Sequence, residues 1–154
     1  MELNTITSLF SGTFLQPPEI LRQRLAECKA YIFDWDGVFN DGFKDAQGSS
    51  PYSEIDAMGT NLLRFSHFLS TGDNPLVAVI TGEQNQAAFT LAKREHFQAV
   101  YFRIRHKSAA IEHLCEQFGL WPEQIAFVYD DVLDLSAAQI CGLRIMVPYT
   151  SKTL

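Results

Sequence analysis

Five short, almost uninterrupted apolar runs alternate along this chain with segments whose apolar residues have helical spacing. The runs occupy residues 31–33, 76–80, 99–102, 125–129 and 143–147. Strands buried on both faces have this composition, as the strands of a parallel sheet do. Alternation of such strands with helices predicts an α/β domain built on a doubly wound, Rossmann-like parallel sheet.

The segments between the runs carry the predicted helices. One helix face is formed by Ile111, Leu114, Cys115 and Phe118. Before the first strand, Pro17 and Pro18 can open a short helix, since proline fits the first helical position. A chain of 154 residues suits a single domain. We expect residues 1–28 to form an extension with a short helix and residues 29–154 to form the main domain.

The segment at about residues 38–55 interrupts this alternation. It is rich in residues that favour turns: Asp41, Gly42, Gly48, Ser49, Ser50 and Pro51. We predict a β-hairpin or flap that projects from the end of the first strand. The segment is too short for a cap domain, so the site below should be open unless a neighbouring subunit covers it. Phe43 and Tyr52 are apolar where solvent is expected, which indicates a subunit contact.

Composition excludes several classes of function. The net charge of −6 disfavours nonspecific nucleic-acid binding, which needs a basic surface. No segment approaches the ~20 apolar residues that span a bilayer, and the first residues lack the basic region of a secretory signal. Cys28, Cys115 and Cys141 are odd in number and widely spaced, which fits reduced core thiols. We therefore expect a cytoplasmic protein that binds neither nucleic acid nor membrane.

Polar residues follow four of the predicted strands. They are Asp34, Asp36, Thr81, Lys107, Asp130, Asp131 and Asp134. The carboxyl ends of parallel strands meet at one edge of the sheet, where ligands bind in open α/β folds. Crowded carboxylates repel one another, and a divalent cation relieves that repulsion. Oxygen ligands of this kind suit Mg²⁺, which also coordinates the oxygens of a substrate phosphate.

The remaining groups at this edge suit phosphate chemistry. Thr81 and Lys107 can hold phosphoryl oxygens, and Gly37 and Gly82 allow the backbone to approach closely. A carboxylate that is not consumed as a metal ligand can attack phosphorus to form an aspartyl-phosphate. A second aspartate two residues later can protonate the leaving alkoxide and then activate water.

The sequence resembles a known superfamily at these residues. The segment Asp34-Trp35-Asp36-Gly37-Val38, then Thr81, Lys107 and Asp130-Asp131-x-x-Asp134, matches the four motifs of the haloacid dehalogenase (HAD) phosphatases in order and spacing. The resemblance implies that Asp34 is the nucleophile and Asp36 the general acid and base. It implies that Asp34, Thr81, Gly82 and Lys107 bind phosphate.

The same resemblance implies a metal site and its support. Mg²⁺ would be held by the carboxylate of Asp34, the backbone carbonyl of Asp36 and Asp130. Asp131 would support the ligands of the metal, and Asp134 would orient Lys107. Trp35 lies between the two aspartates, and strand-like alternation predicts that its side chain points away from them into the core.

A narrower resemblance concerns the substrate. The segments 36–42 and 55–63 are similar to the capless phosphatases of 3-deoxy sugar acids, which act on 3-deoxy-D-manno-octulosonate 8-phosphate or a related nonulosonate 9-phosphate. This implies a small phosphorylated sugar acid as substrate. It also implies a homotetramer in which the flap of one subunit closes the neighbouring site. Glu83 matches the nonulosonate type, with Arg94 as a candidate basic partner, and His106 could contact the substrate.

Departures from the motifs leave alternatives open. Tyr129 stands where motif four usually has glycine, and its ring could narrow the pocket. His106 stands where aspartate often precedes the motif-three lysine. One alternative is therefore a catalytically weakened homologue with a binding or structural role. Another is a response-regulator receiver, but receivers place the lysine last, whereas Lys107 precedes the final aspartate pair here.

Overall fold

A five-stranded parallel sheet forms the centre of the computed structural model, which describes residues 7–9 and 11–147. The strands are β1 Ala30–Phe33, β2 Leu76–Ile80, β3 Ala99–Tyr101, β4 Ile125–Tyr129 and β5 Leu143–Met146. Their order across the sheet is β3-β2-β1-β4-β5, and every neighbouring pair is parallel. The strand order reverses at β1, as in a doubly wound fold, so the predicted fold class is confirmed.

Between residues 11 and 147, five helices and two short 3₁₀ turns connect and cover the strands. The helices are α1 Pro18–Glu27, α2 Glu54–Thr71, α3 Gln86–Arg94, α4 Lys107–Phe118 and α5 Leu135–Ile140. The 3₁₀ turns are Pro122–Gln124 and Val132–Asp134. Local sequence sets the ends of α2, because the Ser53 side chain accepts the N–H of Ile55 and Gly72 adopts a left-handed φ of 81°.

The core consists of two layers, one on each face of the sheet. Successive residues of a strand point to opposite faces, so Tyr31 and Phe33 pack on the side of α1, α2 and α3, whereas Ile32 packs on the side of α4 and α5. The central strands β1 and β4 are fully buried, which explains their uninterrupted apolar composition. Among the described residues, no helix is both long and apolar enough to cross a membrane.

The segment that joins β1 to α2 is a loop over residues 34–53, hereafter the β1–α2 loop, and it contains no strand. The predicted β-hairpin is therefore wrong in that detail. Trp35 anchors the loop, because its fully buried indole stacks on Phe39 at 5.0 Å and donates to the carbonyl of Ser50 at 3.1 Å. This confirms that Trp35 is a packing residue. The buried indole and the contacts of Lys44 with Glu83 and of Ser49 with Asn85 tie the loop to its own chain.

The two aromatic residues predicted to contact a second subunit have different environments. Phe43 is 65% exposed, as such a contact requires. Tyr52 instead packs its ring edge-on to Trp35 at 6.1 Å, so most of its apolar surface is used inside the chain. Among the described residues, the three cysteines are free and buried, in agreement with the prediction of core thiols.

Candidate active site at the carboxyl edge of the sheet

Lys107 joins two aspartates that are far apart in sequence. Its Nζ lies 2.8 Å from Oδ1 of Asp34 and 2.6 Å from Oδ1 of Asp134. Asp34 follows β1 directly, and its N–H donates to the carbonyl of Val128 on β4 at 2.9 Å. Lys107 is the first residue of α4, and Asp134 ends the 3₁₀ turn after β4. The fold therefore brings these three predicted residues into one contact, and Asp134 is placed to orient Lys107.

Three carboxylates, two buried and one half-buried, crowd together beside this lysine. One oxygen from each of Asp34, Asp130 and Asp134 lies within 4.8 Å of the others. Burial raises the pKa of Asp34 to about 7 despite the opposing effect of Lys107. Burial, with the charges of Asp131 and Asp134, also raises the pKa of Asp130. Each shift shows that negative charge is costly in this cluster, a cost that a cation bound between the carboxylates would offset.

The donor set fits a divalent metal ion. Among the described residues, Oδ2 of Asp134 is buried and has no hydrogen-bond partner, so it could serve a cation. Carboxylate oxygens at this spacing are ligands that Mg²⁺ accepts. Two of the predicted ligands, Asp34 and Asp130, belong to the cluster. The third carboxylate of the cluster comes from Asp134, whereas the predicted contribution of Asp36 was its backbone carbonyl.

Burial also affects Lys107, but the carboxylates outweigh it. Desolvation alone would lower the pKa of the ammonium, whereas Asp34 and Asp134 raise it above its usual value. Lys107 therefore stays a cation in a site that is largely removed from water. A fixed positive charge there suits a phosphoryl group, which carries its own negative charge.

Gly37 allows the loop after β1 to approach the end of β4. Its φ is 79°, which L-residues rarely adopt, and an added Cβ would overlap with the carboxylate of Asp130. Two independent features therefore require glycine at this position: the left-handed backbone conformation and the close contact with Asp130. The close approach brings the first and fourth motifs together.

Thr81 and Gly82 lie at the same edge of the sheet, directly after β2. Thr81 is fully buried, its N–H donates to the carbonyl of Tyr101 at 2.9 Å, and its carbonyl accepts the N–H of Ile104 at 3.2 Å. Its hydroxyl accepts the N–H of Glu83 at 3.4 Å. Gly82 is exposed beside it. The end of β3 and the segment after it therefore hold Thr81 at this edge of the sheet.

The residues predicted to determine substrate specificity lie outside the carboxylate cluster. Arg94, at the end of α3, contacts Glu54 at 2.6 Å and Glu95 at 2.7 Å, and its guanidinium lies over the ring of Tyr52. The carboxylates of Glu54 and Glu95 raise the pKa of Arg94 above its usual value. His106 is exposed and directly precedes α4. The structure thus places Arg94 in surface ion pairs rather than in contact with the carboxylate cluster.

Two other predicted residues also differ from expectation in their contacts. Asp131 is exposed, and its carboxylate accepts the N–H of Leu133 at 3.1 Å, so it caps the 3₁₀ turn. Tyr129 is buried, and its ring stacks on Phe127 at 5.5 Å in the core layer beneath α4 and α5. Alternation along β4 directs this ring into the core. The concern that it narrows the pocket therefore does not hold.

Two residues of the β1–α2 loop belong to the site although the sequence reasoning missed them. Nζ of Lys44 lies 3.3 Å from Oδ2 of Asp36 and 3.2 Å from Oε2 of Glu83. The buried Ser50 hydroxyl donates to Oδ1 of Asp36. A lysine within a loop otherwise rich in aspartate was the available signal. Its contact with Asp36 depends on the path of the loop, which sequence spacing does not reveal.

Known proteins with a similar sequence and fold are phosphatases. No family model matches the chain. The chain is 30% identical over 135 residues to the 3-deoxy-D-manno-octulosonate 8-phosphate phosphatase KdsC of Haemophilus influenzae, covering 82% of this chain and 69% of that protein.

Two solved structures extend this comparison to the fold. A 3-deoxy-D-manno-octulosonate 8-phosphate phosphatase from Yersinia pestis superposes with a TM-score of 0.70 at 27% identity, covering 82% of this chain and 66% of that chain. The cobalt-bound form of the deoxy-D-mannose-octulosonate 8-phosphate phosphatase from Haemophilus influenzae gives 0.67 at 28% identity, covering 79% and 70%. With the clustered motif residues described above, these likenesses show that the chain belongs to the KdsC-like phosphatases of the HAD superfamily, hydrolases of phosphate monoesters.

Proposed function

We propose that this phosphatase hydrolyses the phosphate ester of a small sugar acid of the 3-deoxy-2-ulosonate class through an aspartyl-phosphate at Asp34. The contact of Lys107 with Asp34 and Asp134 is the observation that carries the proposal. This contact puts the largely buried ammonium of Lys107 next to Asp34, the candidate nucleophile, where the phosphoryl group of a substrate would bind. The relatives support the substrate class, since they are named for the 8-phosphate of such an acid.

The chemistry divides into two displacements at phosphorus. A carboxylate oxygen of Asp34 forms a bond to phosphorus while the bond from phosphorus to the sugar oxygen breaks, and Asp36 donates a proton to that oxygen. Asp36 then accepts a proton from water, whose oxygen attacks phosphorus and releases inorganic phosphate and free Asp34. The contacts of Ser50 and Lys44 hold the Asp36 carboxylate in place before either proton transfer.

A Mg²⁺ ion fits the site through Asp34, Asp130 and, by resemblance, the carbonyl of Asp36. When bound, it supplies positive charge that offsets both the carboxylates and the phosphate. Lys107 and Thr81 would hold the phosphoryl oxygens from the protein side. The ring of Tyr129 packs on Phe127, so this departure from motif four does not support the alternative of a weakened homologue.

The choice between an 8-phosphate and a 9-phosphate substrate depends on the entrance to the site. Glu83 favours the nonulosonate type by resemblance, whereas the relatives are named for the octulosonate type. Glu83 is held by Lys44, so the charge presented to a sugar carboxylate is that of the pair rather than of Glu83 alone. Cytoplasmic location and a homotetramer closed by the flap stay predictions.

Release of inorganic phosphate by the purified protein tests the proposal. We expect turnover of both sugar-acid phosphates with Mg²⁺, a much lower rate with glucose 6-phosphate, and none with a chelator. Asp34→Asn should abolish release, whereas the matched change Asp73→Asn, at an exposed position, should not. Full activity of Asp34→Asn would overturn the mechanism, and equal rates on glucose 6-phosphate would overturn the substrate class.

A further inference from the structure

Two exposed arginines lie beside the active site, in the segment of residues 102–106 that joins β3 to α4. We call this segment the β3–α4 segment. Within the part of the chain that the structure describes, no carboxylate pairs with Arg103 or Arg105. The chain has a net charge of −6, so carboxylates are in excess and two neighbouring cations without one are unusual. Their charges can therefore meet an anion that comes from outside the chain.

The β3–α4 segment is fixed against the residues predicted to bind phosphate. The N–H of Ile104, which separates the two arginines, donates to the carbonyl of Thr81 at 3.2 Å. The carbonyl of Ile104 lies 3.9 Å from the position that a Cβ of Gly82 would occupy. Consecutive Cα atoms are about 3.8 Å apart, so the Cα atoms of Arg105 and Lys107 are at most about 7.6 Å apart. The arginines therefore flank the predicted phosphate site.

The two arginines border a groove of about 450 Å³. Apolar groups form much of its wall, namely Ile104, Ala109, Ala110 and the ring of Tyr101. The hydroxyl of Tyr101 is 2.8 Å from Nδ1 of His113, so the ring is held in place. Guanidinium groups next to an apolar wall suit a small organic acid, which has both a charged end and a carbon chain, better than a hydrated inorganic anion.

The backbone of Arg103 has a strained conformation. Its φ is 56°, in the left-handed region that residues other than glycine rarely adopt. Besides Arg103, His96 is the one described non-glycine residue with a positive φ. Such strain persists where the surrounding structure imposes it, and it is concentrated at functional sites. Here the bond of the next residue, Ile104, to Thr81 fixes the chain, so the strain is linked to the contact with the site.

Other cations near the site already have partners. Lys44 and Lys107 each contact two carboxylates of this chain, and so does Arg94, the predicted basic partner of the substrate. A second negative charge on the substrate would compete with those carboxylates. Among the described cations at this edge of the sheet, Arg103 and Arg105 are therefore the ones that it could meet without such competition.

We propose that Arg103 and Arg105 bind the carboxylate of the sugar-acid substrate while Lys107 holds its phosphate. This inference rests on the proposed function, since it assigns the second charged group of the same substrate. The N–H donors of a guanidinium match the two oxygens of a carboxylate, whereas the carboxylates elsewhere at this edge would repel it. The methylene group at carbon 3 of a 3-deoxy acid is two bonds from the carboxyl carbon, so it would lie against the apolar wall of the groove.

Steady-state kinetics on a sugar-acid phosphate and on its methyl ester test this proposal. In the wild-type protein, esterification of the substrate carboxylate should raise KM at least ten-fold, because it removes the charge. Arg105→Met should raise KM at least ten-fold for the acid but less than two-fold for the ester, which has no carboxylate to lose contact with. The control Arg22→Met makes the same change at an exposed arginine of α1 and should leave both KM values unchanged.

Arg103→Gly separates a role in binding from a role in folding. Glycine adopts a positive φ without strain, so the thermal midpoint should not fall. The same change should raise KM for the acid at least five-fold, because one guanidinium is lost. A fall in the thermal midpoint with an unchanged KM would show that Arg103 is structural and would overturn the proposal.

The kinetic outcomes separate this proposal from the proposed function. A wild-type chain that hydrolyses neither sugar-acid phosphate would overturn the proposed function, and the inference with it. Turnover of the acid by the wild type, together with an unchanged KM in either arginine variant, would overturn only the assignment of the arginines. An equal rise of KM for the acid and for the methyl ester in Arg105→Met would do the same.

Discussion

The backbone of Gly37 lies directly against the carboxylate of Asp130, so closely that any side chain at position 37 would overlap with it. This contact joins the loop after β1 to the end of β4. It thereby brings Asp34, the proposed nucleophile, close to Asp130, a proposed metal ligand. It also shows that the spacing within the site depends on a backbone contact as much as on the catalytic side chains.

We predict that Gly37→Ala reduces phosphatase activity by at least 100-fold and lowers stability by about 2 kcal/mol, since left-handed strain and overlap add. Gly48→Ala is the matched control, because Gly48 has a similar φ of 75° but no atom of the described residues lies within 4 Å of an added Cβ. It should lose about 1 kcal/mol and keep its activity. Phosphate release and thermal unfolding measure both effects, and equal activity loss in the two variants would contradict the assignment.

Removal of the Lys107 charge should leave Asp34 and Asp134 facing each other without a cation. We expect Lys107→Met to lower activity by at least 100-fold and stability by about 3 kcal/mol, since a buried charge that loses its partner is costly. The double variant Lys107→Met with Asp134→Asn should recover part of the stability because one carboxylate charge is gone. Lys93→Met, at an exposed lysine, is the control. Additive losses in the double variant would show that the two residues do not interact.

Divalent metal should stabilise the fold through the buried carboxylates. At a Mg²⁺ concentration about 100 times the dissociation constant, binding contributes about 2.7 kcal/mol, which corresponds to roughly 5–10 °C in thermal midpoint for a chain of this size. Asp130→Asn should reduce this shift, whereas Asp73→Asn should leave it intact. Differential scanning fluorimetry with Mg²⁺ or chelator measures it, and an identical shift in Asp130→Asn would exclude Asp130 as a ligand.

Lys44 should affect the substrate more than the fold. Its side chain is 37% exposed and its ammonium contacts Asp36 and Glu83, so Lys44→Met should change stability by no more than about 1 kcal/mol. The same change should raise KM for a sugar-acid phosphate at least five-fold and leave KM nearly unchanged for an aryl phosphate monoester whose aryl group carries no charge. Steady-state kinetics on the two substrates separate these outcomes, with Lys29→Met as the control. An equal rise in both KM values would point to general disturbance of the loop.

The buried thiols should make the protein sensitive to alkali. Burial raises the pKa of Cys28 to about 11 and that of Cys141 to about 12, from an ordinary value of 9.0. The unfolded chain then releases these protons first, so the free energy of unfolding should fall as pH rises from about 9 towards 12. Urea unfolding across this range measures the slope, which should be shallower in Cys141→Ala whatever its starting stability. An unchanged slope would contradict a raised pKa at Cys141.

Much of the site was accessible from sequence because the positions where strands end are local properties. Uninterrupted apolar runs identify buried parallel strands, and the residues that follow them must meet at one edge. The ends of the apolar runs are therefore enough to bring Asp34, Thr81, Lys107 and Asp130 to the same edge. They do not give the contacts of Lys44 and Ser50 with Asp36, because a loop without strand periodicity has no pattern that reveals its path.

The sequence by itself determined the α/β architecture and the set of reactive groups. The spacing of buried residues and the residue preferences of turns are both set within a few residues of the chain. Only the tertiary structure decided which side of each helix, strand or loop faces the core and which side faces outwards. The ring of Tyr129 turns into the core and Trp35 draws the β1–α2 loop back onto its own chain. Leu62 and Phe65 have the helical spacing of core residues, yet they face outwards. Apolar periodicity reports that a face will be buried, but not whether the chain itself or a partner covers it.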